Sequence, residues 1–280
     1  MENLKSGNNM LGHTHGQQPI TTAKILCNRI TYALARSATK PPAGGWLESR
    51  WHWYRYPFSL RNTVLWSPFL KAWFVAENES AIECMLRLPS YEPFDWVTPR
   101  AGDVILDLGS YVGPYSLSAA SVIGPSGRVI ALEPDETNRR QLERNLTVNN
   151  VANCTVVPKA AWRRSGRVGW QAGEQPVWHH VDDRVSESTV EAISVDDLVA
   201  EQNLDRVDWI KLDIEGGEVD ALEGAKQTLR RFRPALFVEI HKTDRALRDL
   251  LGSIDYKVER ESYDEPPDLH GWVLARSAQK

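Results

Sequence analysis

Two acidic positions and a pair of glycines carry the first chemical signal. In Asp107-Leu108-Gly109-Ser110-Tyr111-Val112-Gly113 an apolar run passes into a helix-like segment through two glycines four residues apart. Such a turn brings backbone close to a ligand, but it lacks the third glycine of the dinucleotide fingerprint G-x-G-x-x-G. Asp107 in front of the loop repels a pyrophosphate and suits a sulfonium or an ammonium group. A second acid, Glu133 in Ala131-Leu132-Glu133-Pro134, lies 20 residues after Gly113. That is the spacing of a carboxylate that hydrogen-bonds both ribose hydroxyls. Taken singly, the glycines read as ordinary turn residues and Glu133 as a surface carboxylate. Taken together, in successive strand–helix units, they read as a nucleoside site for a cation. Ser110, Tyr111 and Pro134 belong to the same two turns. Ala160 and Ala161, at the end of the next apolar run, leave room for an adenine ring against the backbone. Trp162 either covers that ring or packs beneath it.

A second constellation follows in Lys211-Leu212-Asp213-Ile214-Glu215-Gly216-Gly217-Glu218 and Glu239-Ile240-His241. Period-2 alternation sends Lys211 and Asp213 to one side of a strand and Leu212 and Ile214 to the other. Asp213 then emerges above the sheet beside the cofactor, and Glu239 and His241 reach the same edge together. An Asp–His pair in a cleft can take a proton from an acceptor or orient it. A hydrogen-bonding surface histidine is the plain alternative. Asp213, Glu239 and His241 could also hold a divalent cation, but no tight ligand spacing accompanies them and no metal is assigned. Glu215 faces the acceptor in this reading. Glu218 is either an acceptor contact or a first-turn acid suited to the helix dipole. His179-His180 beside Asp182-Asp183 is read as a solvated loop instead of a ligand group. No Asn-Pro-Pro-Tyr block follows the fourth strand, which weighs against chemistry on nucleobase amines and against a nucleic-acid partner.

The elements that position these residues alternate from Asp103 onward. Val104–Leu108, Arg128–Leu132, Thr155–Ala161, Trp209–Leu212 and Ala235–Ile240 are expected strands. Pro114–Val122, Glu136–Asn149, Glu218–Phe232 and 243–252 are expected helices. Residues 166–195 read as a hairpin excursion, closed by a helix start at Ser194. Tyr256–Glu261 and Trp272–Ala275 close the pattern as a strand pair. Short apolar strands between amphipathic helices predict a doubly wound α/β fold with a mostly parallel sheet. Ligands of such sheets bind at the carboxyl ends of the strands.

Ahead of this domain the chain is different. Residues 1–19 are polar and read as a flexible start. A short amphipathic helix is expected over 20–37 and another near 79–88. Between them, Trp46, Trp51, Trp53, Tyr54, Tyr56 and Phe58 fall too densely for one face of an element. Arg50, Arg55 and Arg61 are interleaved with them. Aromatic faces with arginines suit an anionic or ring-bearing acceptor, with Trp51 and Arg55 as the named contacts. A hydrophobic cap on the sheet, or on a second subunit of a homodimer, is the competing reading. The segments are therefore 1–19, a substrate or oligomerisation segment over 20–98, and a catalytic domain over 99–280.

Residues 103–241 resemble the FkbM family of methyltransferases. The ordered blocks are DVILDLGSYVGPYSLSAA, GRVIALEPDETNRRQLERNLTVNN, SVDDL, DWIKLDIEGGEVDALEGA and RPALFVEIH. The Gly loop is a general class I methyltransferase signal, whereas the Asp213–Glu218 block followed by Glu239-Ile240-His241 is much more specific. The resemblance implies a seven-stranded class I (Rossmann-like) sheet and S-adenosylmethionine as donor. It also implies a hydroxyl acceptor on a small molecule, sugar or natural product. Asp107, Gly109, Gly113 and Glu133 match the family's cofactor positions. N- or C-methylation of a peptide or natural-product scaffold, and a degenerate fold serving as a binding module, are the alternatives. Intact Asp107, Glu133 and Asp213 argue against degeneracy.

Bulk properties exclude little else. The net charge of −4 is divided unevenly, since residues 1–75 carry nine Lys/Arg against two Asp/Glu. That segment is therefore +7 and the remainder −11. No apolar stretch is long enough to span a bilayer. Cys27, Cys84 and Cys154 are odd in number and lack metal-type spacing, which points to a reducing, cytoplasmic compartment.

Overall fold

The computed structural model describes residues 63–67, 70–77, 81, 93–171, 180–182, 188–263 and 270–278. Thr63–Ser67 (β1) and Ala72–Ala76 (β2) form an antiparallel hairpin, and a 3-10 turn spans Phe94–Trp96. Then come Val104–Leu108 (β3), Pro114–Ile123 (α1), Arg128–Leu132 (β4), Glu136–Val148 (α2) and Cys154–Val157 (β5). Ala160–Ala161 (β6), Gly166–Gln171 (β7), His180–Asp182 (β8) and Thr189–Ile193 (β9) make a small four-stranded sheet. The chain continues with Val195–Glu201 (α3), Trp209–Leu212 (β10), Glu218–Glu223 (α4), Lys226–Phe232 (α5) and Ala235–His241 (β11). Asp244–Ser253 (α6), Tyr256–Tyr263 (β12) and His270–Ser277 (β13) end it.

The main sheet has seven strands in the order β12-β13-β11-β10-β3-β4-β5. The five from β11 to β5 are parallel, and β12 and β13 run antiparallel at one edge. Every residue of β3 and β10 is buried, as a parallel strand covered on both faces requires. Alternate side chains serve opposite layers. Leu106, Leu108, Leu132, Leu212, Val238 and Ile240 pack against α3–α6. Ile105, Val129, Trp209 and Phe237 pack against α1, and Ala131 against Leu142 and Leu146 of α2. Strand order reverses between β3 and β10, so their carboxyl ends flank a crevice at the topological switch point.

Two expected elements are corrected. The third strand stops at Val157 instead of Ala161, because Pro158 has no N–H to continue the ladder. Ala160 and Ala161 cross over to pair with Ala192 and Ile193 of β9. The helix expected over Glu218–Phe232 is broken in two. Asp196 donates its N–H to the Gly224 carbonyl at 2.9 Å. Its carboxylate accepts from the N–H groups of Gln227 and Thr228 at 3.0 and 2.8 Å. A cap from outside thus starts a new helix. Ser194 caps α3 as expected, accepting from Asp197 N–H at 3.1 Å.

The hairpin lies along α2 and is tied to it by three side-chain amides. Asn149 and Asn145 accept from Trp73 N–H (2.8 Å) and Val75 N–H (2.7 Å), and Gln141 donates to the Val75 carbonyl (2.6 Å). Spacing of four along the helix matches alternate residues of β2, and Phe74 between them is fully buried. This part of the segment packs against α2. Residues 1–62, with Trp51, Arg55 and the helix expected over 20–37, lie outside the described residues. Of the helix expected near 79–88 only Ala81 is described, and it is helical and buried. His179 and Asp183 also lie outside. Among the described residues no helix is long and apolar enough to cross a membrane.

Candidate active site

The glycine loop folds back on both neighbouring strands. Gly109 has φ +80°, and a Cβ there would sit 1.8 Å from the Asp213 carbonyl oxygen. Backbone from β3 and from the end of β10 touch at that point, so only glycine fits. Gly113, at φ +88°, is pressed on by Leu142 of α2 in the same way. Ser110 is buried, giving its hydroxyl to the Asp107 carbonyl at 2.8 Å. Tyr111, at φ +50°, donates its N–H to Glu133 Oε2 at 2.8 Å.

Glu133 is thereby locked to the loop it was expected to accompany. Its other oxygen accepts from Asp135 N–H at 2.9 Å, while Asp135 caps α2. Burial pushes the Glu133 carboxyl up to about 8, and the two backbone donors pull it the other way. Pro134 is half-buried and its carbonyl accepts from Arg139 at 3.3 Å. Ala160 and Trp162 are buried beside Val168 and Ala192 of the small sheet, and Ala161 packs into the main core with Val157 and Ile193.

Asp107 is placed differently from its neighbours. It is 0% exposed and turned into the layer beneath α1. One oxygen accepts from the Ser116 hydroxyl at 2.5 Å, and the other lies 3.5 Å from Lys211 Nζ. Burial raises its pKa, against the pull of Lys211 and Ser116. Lys211 also donates to the Gly109 carbonyl (2.9 Å) and to Asp213 (3.2 Å). One buried ammonium thus joins Asp107, the glycine loop and Asp213.

Strand alternation places Asp213, Glu239 and His241 on one edge, as expected. Asp213 is held below the ordinary carboxylate range. Desolvation opposes this, and Lys211, a hydrogen bond with Glu239 and His241 outweigh it. Glu215, at φ +54°, is raised to about 7 by burial, partly offset by His241. His241 Nδ1 lies 2.9 Å from Glu218 Oε1, and Nε2 lies 3.5 Å from Glu215. Desolvation lowers the His241 pKa, but the Glu218 hydrogen bond and the charges of Glu215, Glu218 and Asp213 raise it to about 9. Glu239 is buried and pairs with His270 Nε2 at 2.5 Å.

Sequence reasoning missed two contributors, His270 and Ser116, and left the role of Glu218 open. Glu218 is fully buried and neither faces an acceptor nor merely suits a helix dipole. It accepts from Gly216 N–H (2.9 Å) and the Thr243 hydroxyl (3.1 Å) while holding His241. Its spacing of three from Glu215 was the available signal. His270 stands opposite His241 in the antiparallel register of β11 and β13, a pairing invisible while the strand was expected to begin at Trp272. Ser116 gives its hydroxyl to a residue nine positions earlier, and no local pattern marks it.

A family model for the methyltransferase FkbM domain matches residues 107–264. The hexuronic acid methyltransferase AglP of Haloferax volcanii is 28% identical over 142 residues, covering 50% of this chain and 56% of that one. The crystal structure of methyltransferase FkbM from Methylobacillus flagellatus superposes with a TM-score of 0.50 at 18% identity, over 90% of this chain and 60% of that one. The chain thus spans 56–60% of these two relatives' lengths. The structural likeness establishes the shared fold.

Proposed function

The chain belongs to the FkbM methyltransferase family, and on that premise we propose that it methylates a hydroxyl oxygen of a sugar-like acceptor with S-adenosylmethionine as donor. The observation that carries the reading is the meeting of two half-sites at one switch point. The Gly109–Gly113 loop and Glu133 lie on one side of β3, and Asp213 and His241 end the strands on the other. The residues fit the donor. Glu133 accepts backbone N–H groups from Tyr111 and Asp135 and a side-chain hydrogen bond from Asn138, which leaves one lone pair for a ribose hydroxyl. Gly109, Ser110, Tyr111, Gly113 and Pro134 shape the adjoining turns, Ala160 and Ala161 follow the next strand, and Asp213 borders the sulfonium. When bound, the donor supplies an electrophilic methyl group on a positively charged sulfur.

The chain must then align an acceptor oxygen within about 3–3.5 Å of that methyl carbon and receive the proton the hydroxyl loses. We assign these tasks to Asp213, Glu239 and His241. Lys211 holds Asp213 from beneath, and Glu218 fixes the His241 ring. Glu215 borders the acceptor, and Trp51 and Arg55 are assigned to its recognition on residue type alone. The acceptor class is a uronic acid or related polyhydroxy compound, after the AglP likeness.

Incubation with methyl-labelled donor and a panel of uronic acids, neutral sugars and amines tests this. An O-methyl product identified by mass spectrometry and NMR is the expected result. His241→Ala should bind donor normally yet lose about 10²–10⁴-fold in turnover. Methylation of nitrogen or carbon only, or full turnover in His241→Ala, overturns the assignment.

A further inference from the structure

Two overlapping groups of metal-type donors meet at the acceptor edge. One ligand atom from each of Asp213, Glu215 and His241 lies within 4.8 Å of the others, and the same holds for Glu239, His241 and His270. These residues arrive on separate pieces of chain. Asp213 and Glu215 follow β10, Glu239 and His241 end β11, and His270 opens β13. His241 belongs to both groups. We propose that Asp213, Glu215 and His241 bind a divalent cation, with the Glu239–His270 pair beside it, and that this cation is what engages the acceptor.

The arrangement of His241 is the telling feature. Its Nδ1 faces Glu218 at 2.9 Å, and Glu218 is itself fully buried and anchored by Gly216 and Thr243. A histidine that ligates a metal through one nitrogen characteristically gives its other N–H to a carboxylate. Here that bond orients the ring so that Nε2 faces Glu215, 3.5 Å away, and a bound cation would take the place of the proton on Nε2. Two carboxylates and one imidazole suit Mn²⁺ and related ions. The three side chains keep 25%, 24% and 17% of their surface exposed, so coordination positions remain on the open side. Lys211 pairs with Asp213 at 3.2 Å from beneath, but its ammonium is buried and also drawn to Gly109 and Asp107, so it does not occupy the open side of the edge.

The inference rests on the reading that a polyhydroxy or uronate acceptor docks above Asp213. Asp213, Glu215, Glu218 and Glu239 outnumber Lys211 and the two histidines paired with them at this edge, and an anionic acceptor would need a further countercharge. A bound cation supplies it, grips an acceptor oxygen and eases loss of its proton. His241 then acts as ligand and orienting group, and the proton passes to Glu239, which His270 supports.

The test uses the whole chain, dialysed against EDTA and titrated with Mn²⁺ by EPR and calorimetry, with S-adenosylmethionine affinity measured on the same samples. About one saturable Mn²⁺ per chain is expected. Glu215→Gln and His241→Ala should each weaken Mn²⁺ binding at least about tenfold, and Glu218→Gln about 10–100-fold, with donor affinity retained in all three. Two results overturn the proposal: no saturable Mn²⁺ binding in wild-type chain that still binds donor, or undiminished binding in Glu215→Gln and His241→Ala. Mn²⁺ binding lost in those variants, in a chain that methylates only amines, supports the cation site while refuting the oxygen acceptor.

Discussion

Glu133 offers the sharpest prediction, because its chemistry and its burial pull in opposite directions. In the free protein its carboxyl is raised to about 8 by burial. At pH 7 about one molecule in ten then carries the carboxylate, and at pH 9 about nine in ten. Both oxygens already accept backbone N–H groups, from Tyr111 and Asp135. Accepting a ribose hydroxyl in addition to these and to the Asn138 side chain requires the ionised form. Donor binding should therefore release a proton at neutral pH, and affinity should rise roughly tenfold between pH 7 and 9 before levelling. The folding sign is the reverse. A folded pKa above the unfolded value of 4.5 means that the native state holds the proton longer. Stability then falls as pH rises from about 4.5 to about 8, and is flat above. Calorimetry in buffers of different ionisation enthalpy reads the proton release directly. Glu133→Gln should abolish this pH dependence, leaving only the slope due to the donor's own amino group. It should also weaken binding by about 1.5–3 kcal/mol, or roughly ten- to 150-fold. An affinity that is flat with pH in the wild type, or a slope unchanged in Glu133→Gln, refutes the ribose assignment.

Asp107 invites a different expectation from the other family-matched positions. Asp107→Ala removes the carboxylate between Ser116 and Lys211 and should cost about 3–5 kcal/mol, as breaking a buried ion pair does. Thermal melting should show it, and an unchanged melting temperature with weakened donor binding would instead make Asp107 a direct ligand. Gly109→Ala drives a methyl group to 1.8 Å from the Asp213 carbonyl. It should part the ends of β3 and β10, abolishing donor binding and lowering the melting temperature. Native affinity in that variant would contradict the close approach.

Local chemistry made much of this protein legible from sequence alone. β3, β4 and β10 were bounded correctly because buried parallel strands are largely apolar runs, interrupted here only by Asp107, Arg128 and Lys211 and ended by a glycine turn, a Glu-Pro pair and an Asp. The helix start at Ser194 was legible because an N-cap is satisfied within three residues. Alternation also put Lys211 with Asp213, and Glu239 with His241, since side-chain direction in a strand depends only on parity. The Gly109–Gly113 loop and Glu133 could be associated from sequence because they follow consecutive strands.

What lay beyond the sequence depends on atoms far away along the chain. That Asp107 turns inward is decided by Ser116 and by Lys211, 104 residues on. The split between α4 and α5 comes from Asp196 on another segment. Glu218 looked like any first-turn acid until the end of β11 brought His241 and Thr243 against it. His270 became part of the site only through the register of β13 on β11. Sequence spacing specifies which residues can share a strand or a helix face. Which carboxylate is buried, and which histidine it holds, is settled by the packing of strands that meet only in the folded sheet, where desolvation makes each pairing matter.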